Sequence, residues 1–158
     1  MVARPEYPYR CLVPGIPVAQ GRPRASVRGG NIFMRDPEKS RSWKNCAAVH
    51  MRASMQRAGL RAFVGPLEAR VRCYWPSVKP DRKRHPRKQA WRDKRPDADN
   101  LAKAALDAAQ GVVYSDDAQV VRLIVEKFHA AQGDVPRVVL EVRKIASWQG
   151  LGSVKGRV

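Results

Sequence analysis

Hydrophobic positions change period several times along the chain, and each change marks an element. Leu67, Ala69, Val71, Cys73 and Trp75 alternate with Glu68, Arg70, Arg72 and Tyr74. That is the period-2 pattern of a strand with one buried and one polar face, and Pro76 ends it. Upstream, Trp43, Ala47, Met51, Met55 and Ala58 fall on one helical stripe, which predicts a helix packed on a sheet. Asp36-Pro37-Glu38 supplies its start, with Asp36 to cap, Pro37 at the first helical position and Glu38 at the positive end of the dipole; Gly59 supplies its stop. His50 borders the stripe and reads as a core or boundary residue rather than a ligand. Downstream, Leu101, Ala104, Ala105 and Ala108 make the i, i+3, i+4, i+7 stripe of a second helix, from Asp99 to about Gln110, closed by Gly111. Runs at 9–13, 119–128 and 138–143 predict further strands, and Gly29-Gly30-Asn31 predicts a hairpin into Ile32-Phe33-Met34. These elements make a single α/β (α+β) domain over 1–145: a mixed sheet of about four to five strands packed with two main helices. Residues 1–8 read as loose, and 146–158 as a flexible tail.

Charge changes this picture from a generic domain to one with a partner. The 158 residues carry 31 Lys and Arg against 14 Asp and Glu, a formal net charge of +17. That excess points to a polyanion, nucleic acid first, with a merely adhesive basic protein as the competing reading. Cations concentrate over 79–95, where Lys79, Arg82, Lys83, Arg84, Arg87, Lys88, Arg92, Lys94 and Arg95 face only Asp81 and Asp93. With Pro80 and Pro86 this stretch predicts a mobile loop able to grip phosphate. Trp91 within it is either a stacking surface for an unpaired base or an anchor to the domain. Arg22, Arg24 and Arg28 offer further phosphate contacts from an earlier loop. Cys11, Cys46 and Cys73 have no CxxC spacing and read as buried thiols of a reducing compartment. No stretch approaches the ~20 apolar residues of a membrane span and the N-terminus lacks a signal-peptide core, so a cytoplasmic protein without membrane contact is expected.

Against this cationic background, residues 97–117 hold five of the 14 acids (Asp97, Asp99, Asp107, Asp116 and Asp117) and one base, Lys103. Carboxylates crowded together repel one another unless a proton or a cation resolves the repulsion. Hydrolysing a phosphodiester needs an oriented, acidified water and neutralisation of phosphate charge; magnesium supplies both while taking a few carboxylate oxygens. Asp97 and Asp99, at a helix entrance, suit one shared ion. Asp116 or Asp117 completes the set only if the turn after the helix returns to its start or approaches from another chain, since ~11 helical residues span ~16 Å. Lys103 suits the scissile phosphate, or equally an i, i+4 pairing with Asp99 and Asp107. Spacing alone thus leaves two readings, a metal-dependent nuclease site and a structural ion-pair cluster. A calcium loop is excluded by Ala102 and Ala108 at its sixth and twelfth positions. A phosphate-binding Gly-rich loop, a zinc set and an activated Ser or Cys nucleophile are all unsupported.

Two motifs add a resemblance. The run Arg95-Pro96-Asp97-Ala98-Asp99-Asn100-Leu101-Ala102-Lys103-Ala104-Ala105-Leu106-Asp107-Ala108, followed by Tyr114-Ser115-Asp116-Asp117-Ala118-Gln119-Val120 and Lys127, strongly resembles the RusA family of Holliday-junction resolvases, common in phages and prophages. Gly15-Ile16-Pro17-Val18-Ala19-Gln20-Gly21-Arg22-Pro23-Arg24 is similar to the family's N-terminal segment, with Gln20 where lysine is usual. The resemblance covers about residues 10–145. It implies a homodimeric endonuclease of recombination and repair that nicks four-way DNA junctions symmetrically, with Mg2+ as cofactor and Mn2+ able to substitute. It maps catalytic roles onto Asp97, Asp99, Lys103 and Asp117, with Asp97, Asp99, Asp117 and Asp116 as metal ligands. Flap- or fork-cutting nucleases and a non-catalytic nucleic-acid binder are the alternatives.

Overall fold

The computed structural model describes residues 7–77 and 88–145. In chain order they form β1 (Tyr9–Pro14), β2 (Arg24–Arg28), β3 (Asn31–Arg35), α1 (Glu38–Arg57), β4 (Leu67–Trp75), β5 (Ala90–Trp91), α2 (Ala98–Ala109), a 3-10 turn (Asp117–Gln119), β6 (Val120–His129) and β7 (Arg137–Lys144). The main sheet has five strands in the order β1-β7-β4-β6-β5, and β2 with β3 makes a separate hairpin. Only the β4–β6 pairing among these is parallel. A single α+β domain with a mixed sheet and two helices is therefore what the chain adopts.

The periodicities explain the layers. Leu67, Ala69, Val71 and Cys73 of β4 share one core with Ala47, Met51 and Met55 of α1 and with Leu101, Ala105 and Ala108 of α2. Both helices thus cover the same side of the sheet and pack against each other. The other side of β4 departs from the expected polar face. Glu68 is only 1% exposed and Tyr74 5%. β4 lies between β7 and β6, and long side chains of those strands close over it: Arg122 and Arg143 hold the Glu68 carboxylate at 2.8 and 3.0 Å. Tyr7, expected in a loose terminus, also donates its hydroxyl to Glu68.

Other differences have local causes. Asp36 does not cap α1; Pro37 stands at the N-cap without a side-chain bond, and the Asp36 carboxylate is drawn to Lys44 at 2.6 Å instead. Ala58 lies past the last turn of α1 and is exposed, while Trp43 is half-buried against the core. Cys11 and Cys73 are buried as expected, but Cys46 is exposed. Val112 and Val113 lie in a turn, and Tyr114, bridged to Phe63 and Gln110, is buried with its hydroxyl donating to the Leu106 carbonyl at 3.0 Å. Within the expected loop 79–95, Ala90 and Trp91 form an edge strand on β6. The expectations for Lys79, Arg82, Lys83, Arg84 and Arg87, for residues 1–6 and for the tail 146–158 fall outside the described residues. Among the described residues no helix is long and apolar enough to cross a membrane.

Candidate functional site

β4 and β6 run parallel, so the chain must return across the sheet between them, and α2 is the return. Its N-terminus consequently lies toward the carboxyl ends of these two strands, the side on which open α/β sheets accept ligands. Asp97 occupies the N-cap with extended backbone and no side-chain capping bond, so its carboxylate is not spent on the helix. Asp97 and Asp99 are both exposed.

Three anchors set this entrance. Lys127, near the end of β6, donates from Nζ to the carbonyls of Lys94 and Pro96, each at 3.0 Å. The ammonium thereby grips the backbone immediately ahead of Asp97. From the other side, the Gln20 N–H donates to the Asn100 carbonyl at 2.8 Å and ties the N-terminal loop onto the first turn of α2. That loop is itself fastened to α1, because Ser40 Oγ accepts from the Gly21 N–H at 2.9 Å and donates to the Ala19 carbonyl at 3.0 Å. Gly21 is needed for the approach: a Cβ there would come within 2.6 Å of Pro37 Cγ. Between loop and helix entrance opens a cavity of about 480 Å³ lined by Ala19, Gln20, Arg22, Arg95, Pro96, Asp97 and Asn100. Two guanidiniums and one carboxylate thus share one opening.

Along α2 the acids divide. Asp107 is paired not with Lys103 but with Lys44 of α1, which bridges Asp36 at 2.6 Å and Asp107 at 3.1 Å. Burial lowers the Lys44 pKa, but the hydrogen bonds to the two carboxylates outweigh it and the net shift is upward. The same Lys44 bond, with help from Gln20 and the charge of Lys103, holds Asp36 below its ordinary value. Asp107 therefore belongs to a structural bridge between the helices. Lys103 is exposed on α2, one turn from Asp99.

Asp116 and Asp117 sit beyond the opposite end of α2. Asp116 caps the 3-10 turn, its Oδ1 accepting from the Ala118 N–H at 2.9 Å, and Gln119 completes a reciprocal capping box. The Gln119 amide also donates to the Phe63 and Gly65 carbonyls at 3.1 and 3.3 Å, which fastens the turn to the segment after α1. Asp117 is exposed; after burial itself, its charge is the next cause raising the pKa of the Tyr114 phenol. Beyond Asp99, residues 100–109 of α2 run on toward the second acid pair, a helical span of about 15 Å. Among the described residues no three His, Cys, Asp or Glu side chains come close enough together to hold a metal ion. One chain thus brings Asp97 together with Asp99, and Asp116 together with Asp117, but not the two pairs with each other.

Of the expected DNA contacts, Arg22, Arg24, Lys88, Lys94 and Arg95 are exposed. Arg92 has a different role: its guanidinium lies 4.7 Å from the centre of the Trp75 ring and donates to the Arg95 carbonyl at 2.9 Å, bracing the same segment that Lys127 holds. Lys44 was not singled out by spacing, because its partners are 8 and 63 residues away. Its only sequence signal is a lysine flanking the buried stripe of α1.

The site thus sets a pair of exposed carboxylates at a helix entrance, with arginines around one opening, on a strongly cationic chain. The family model for endodeoxyribonuclease RusA matches residues 14–143, so this chain belongs to the RusA family of endodeoxyribonucleases. It is also similar to the Bacillus subtilis (strain 168) protein YqaN, itself described as uncharacterized, at 36% identity over 139 residues covering 84% of this chain and 94% of the relative.

Proposed function

We propose that this chain is a magnesium-dependent endonuclease that, as a homodimer, resolves four-way DNA junctions by paired symmetric nicks. The observation that carries the reading is the entrance of α2, where Asp97 shares an opening with Arg22 and Arg95 and Asp99, also exposed, follows two residues on, inside a family whose members are endodeoxyribonucleases. The donor set suits magnesium, which takes one or two carboxylates and fills its remaining positions with water and phosphate oxygens. Asp97 and Asp99 would hold the ion, and a bound ion would acidify a water and neutralise charge on the phosphate. Arg22 and Arg95 attract the DNA backbone into the opening. Lys103, exposed one turn inside α2, would offset charge that grows on the scissile phosphate. Lys127 keeps the backbone ahead of Asp97 in place. A dimer matches the two-fold symmetry of a junction and supplies two such sites.

The distance along α2 bears on Asp117 and on Asp116 beside it. Their role as metal ligands fits best across the dimer, with the 116–117 turn of one copy approaching the helix entrance of the other. The test is nicking of a synthetic four-way junction with Mg2+ or with EDTA, beside duplex and fork controls. Wild type is expected to cut the junction only with metal, and Asp97→Asn and Asp117→Asn are each expected to bind without cutting. Mixing the two inactive variants should restore nicking if Asp117 acts across the dimer, because one of the two sites then carries neither change. Retained cutting by both single variants overturns the site assignment, and metal-independent cutting overturns the mechanism.

A further inference from the structure

A stack of rings on the sheet face away from the helices takes no part in the chemistry described above. Trp91 of edge strand β5 pairs with Phe128 of β6, and the two rings are stacked with centroids 4.6 Å apart and planes at 27°. Phe128 stacks in turn on Tyr74 of β4, at 5.1 Å and 22°, and the Arg137 guanidinium covers Tyr74 at 4.2 Å. Layer by layer, the stack crosses the sheet toward its outer edge. The inner rings are buried, Phe128 at 7% and Tyr74 at 5% exposure, whereas Trp91 remains 71% exposed. One face of the indole therefore rests on a fixed aromatic base while the rest of the ring meets solvent.

The backbone holds that ring in place. The Arg92 N–H donates to the Lys127 carbonyl at 3.0 Å, and the Lys127 ammonium grips the chain at 94 and 96. The same strand residue thus anchors both the segment bearing Trp91 and the entrance bearing Asp97. An exposed indole of this kind is expensive to leave in water, and its surroundings say what would cover it. Lys88, Lys94 and Arg95, within four residues of it in the chain, are exposed cations. An apolar protein surface laid over Trp91 would desolvate these charges without pairing them. A nucleotide offers both a flat ring for the indole and a phosphate for the cations.

We propose that Trp91 is a stacking platform for an unpaired DNA base, on the sheet face away from α2 and six residues ahead of Asp97 in the chain. The inference rests on the preceding reading in that DNA is the ligand. A base at the crossover of a junction is the natural occupant, because its stacking is already interrupted and drawing it out costs less than in continuous duplex. Trp91 is then a specificity-determining contact rather than a catalytic residue, favouring DNA whose bases can be unstacked.

The inference is tested on the full chain with two single-stranded probes of equal length, an oligothymidine and its abasic counterpart, by fluorescence anisotropy at one salt concentration. Wild type is expected to bind the base-bearing strand on the order of 10-fold more tightly than the abasic strand. Trp91→Ala should bind both strands alike, at the wild-type affinity for the abasic one, while Trp91→Phe keeps most of the preference. Trp91→Leu covers Phe128 without offering a π face, so it too should lose the preference while remaining folded by circular dichroism. A wild type without base preference, or a preference that survives in Trp91→Leu or Trp91→Ala, overturns the inference. Binding of wild type to a four-way junction against duplex is measured beside these. A ring-dependent preference on single strands without junction selectivity refutes the junction reading and leaves the stacking platform standing.

Discussion

Lys127→Met keeps most of the side-chain stem and deletes the ammonium that holds the carbonyls of Lys94 and Pro96, each at 3.0 Å. Hydrogen bonds to charged groups contribute about 1.5–3 kcal/mol each. The bond to Lys94 is exposed and belongs at the low end, and the bond to Pro96 is half-buried. Together they give roughly 3 kcal/mol of local order. Residues 94–96 can loosen without opening the sheet, so less than about 1 kcal/mol of this should reach global stability. The remainder falls on the placement of Asp97 and Arg95, and about 3 kcal/mol in a barrier is on the order of a hundredfold in rate. Single-turnover nicking of a junction should therefore slow about 30- to 100-fold, while junction affinity stays within about threefold and the urea midpoint moves little. Lys127→Arg keeps the charge with a differently shaped donor group and should recover part of the rate. Nicking at half the wild-type rate or better in Lys127→Met, or a loss that merely tracks global unfolding, would show that the carbonyl grip does not position the site.

Three further outcomes follow from the contacts. Burial alone would raise the Glu68 pKa, but hydrogen bonds from Arg143, Tyr7 and Arg122 bring it from 4.5 down to about 2. Its folded value lies below its unfolded one, so its stabilisation is complete above about pH 4.5 and is lost as pH falls toward 2. Because Arg122 and Arg143 are partly exposed, that stabilisation is roughly 2 kcal/mol rather than the full value of the shift. Urea melts of Glu68→Gln should show a shallower acid limb between those pH values; an unchanged limb refutes the assignment. Lys44→Met leaves Asp36 and Asp107 without their shared cation, so the Asp36 carboxyl should titrate higher by NMR, and junction nicking should fall less than in Asp97→Asn. Gly21→Ala forces a methyl to within 2.6 Å of Pro37 and 3.2 Å of Ser40 Oγ. Overpacking of this kind costs about 1–3 kcal/mol, visible as a lowered urea midpoint together with weaker DNA binding as the Arg22 loop is displaced.

The elements of this fold were legible in the chain because their patterns are local. Period 2 from Leu67 to Trp75, the helical stripes through Met51 and Ala105, and the glycines after each helix depend only on neighbouring residues and backbone geometry. The family motifs were legible for the same reason, since Asp97 and Asp99 are two residues apart. Partner choice was not. Asp36 reads as a cap from its neighbours, yet Lys44 of α1 draws its carboxylate away and, because α1 and α2 lie side by side, holds Asp107 as well. Glu68 reads as a solvent-facing residue, yet it is buried under arginines from β6 and β7, strands far away in sequence. Trp91 reads two ways from sequence; as packed on Phe128 with its outer face open, it is anchored and still available to a ligand. The acidic cluster at 97–117 shows the division most plainly. Composition and spacing concentrate its five aspartates in one short segment, but the length of α2 separates them into an entrance pair, a bridge residue and a turn pair. Charge density along a chain is a property of sequence, whereas the distance between charges is decided by the helix that runs between them and by the strands it must cross.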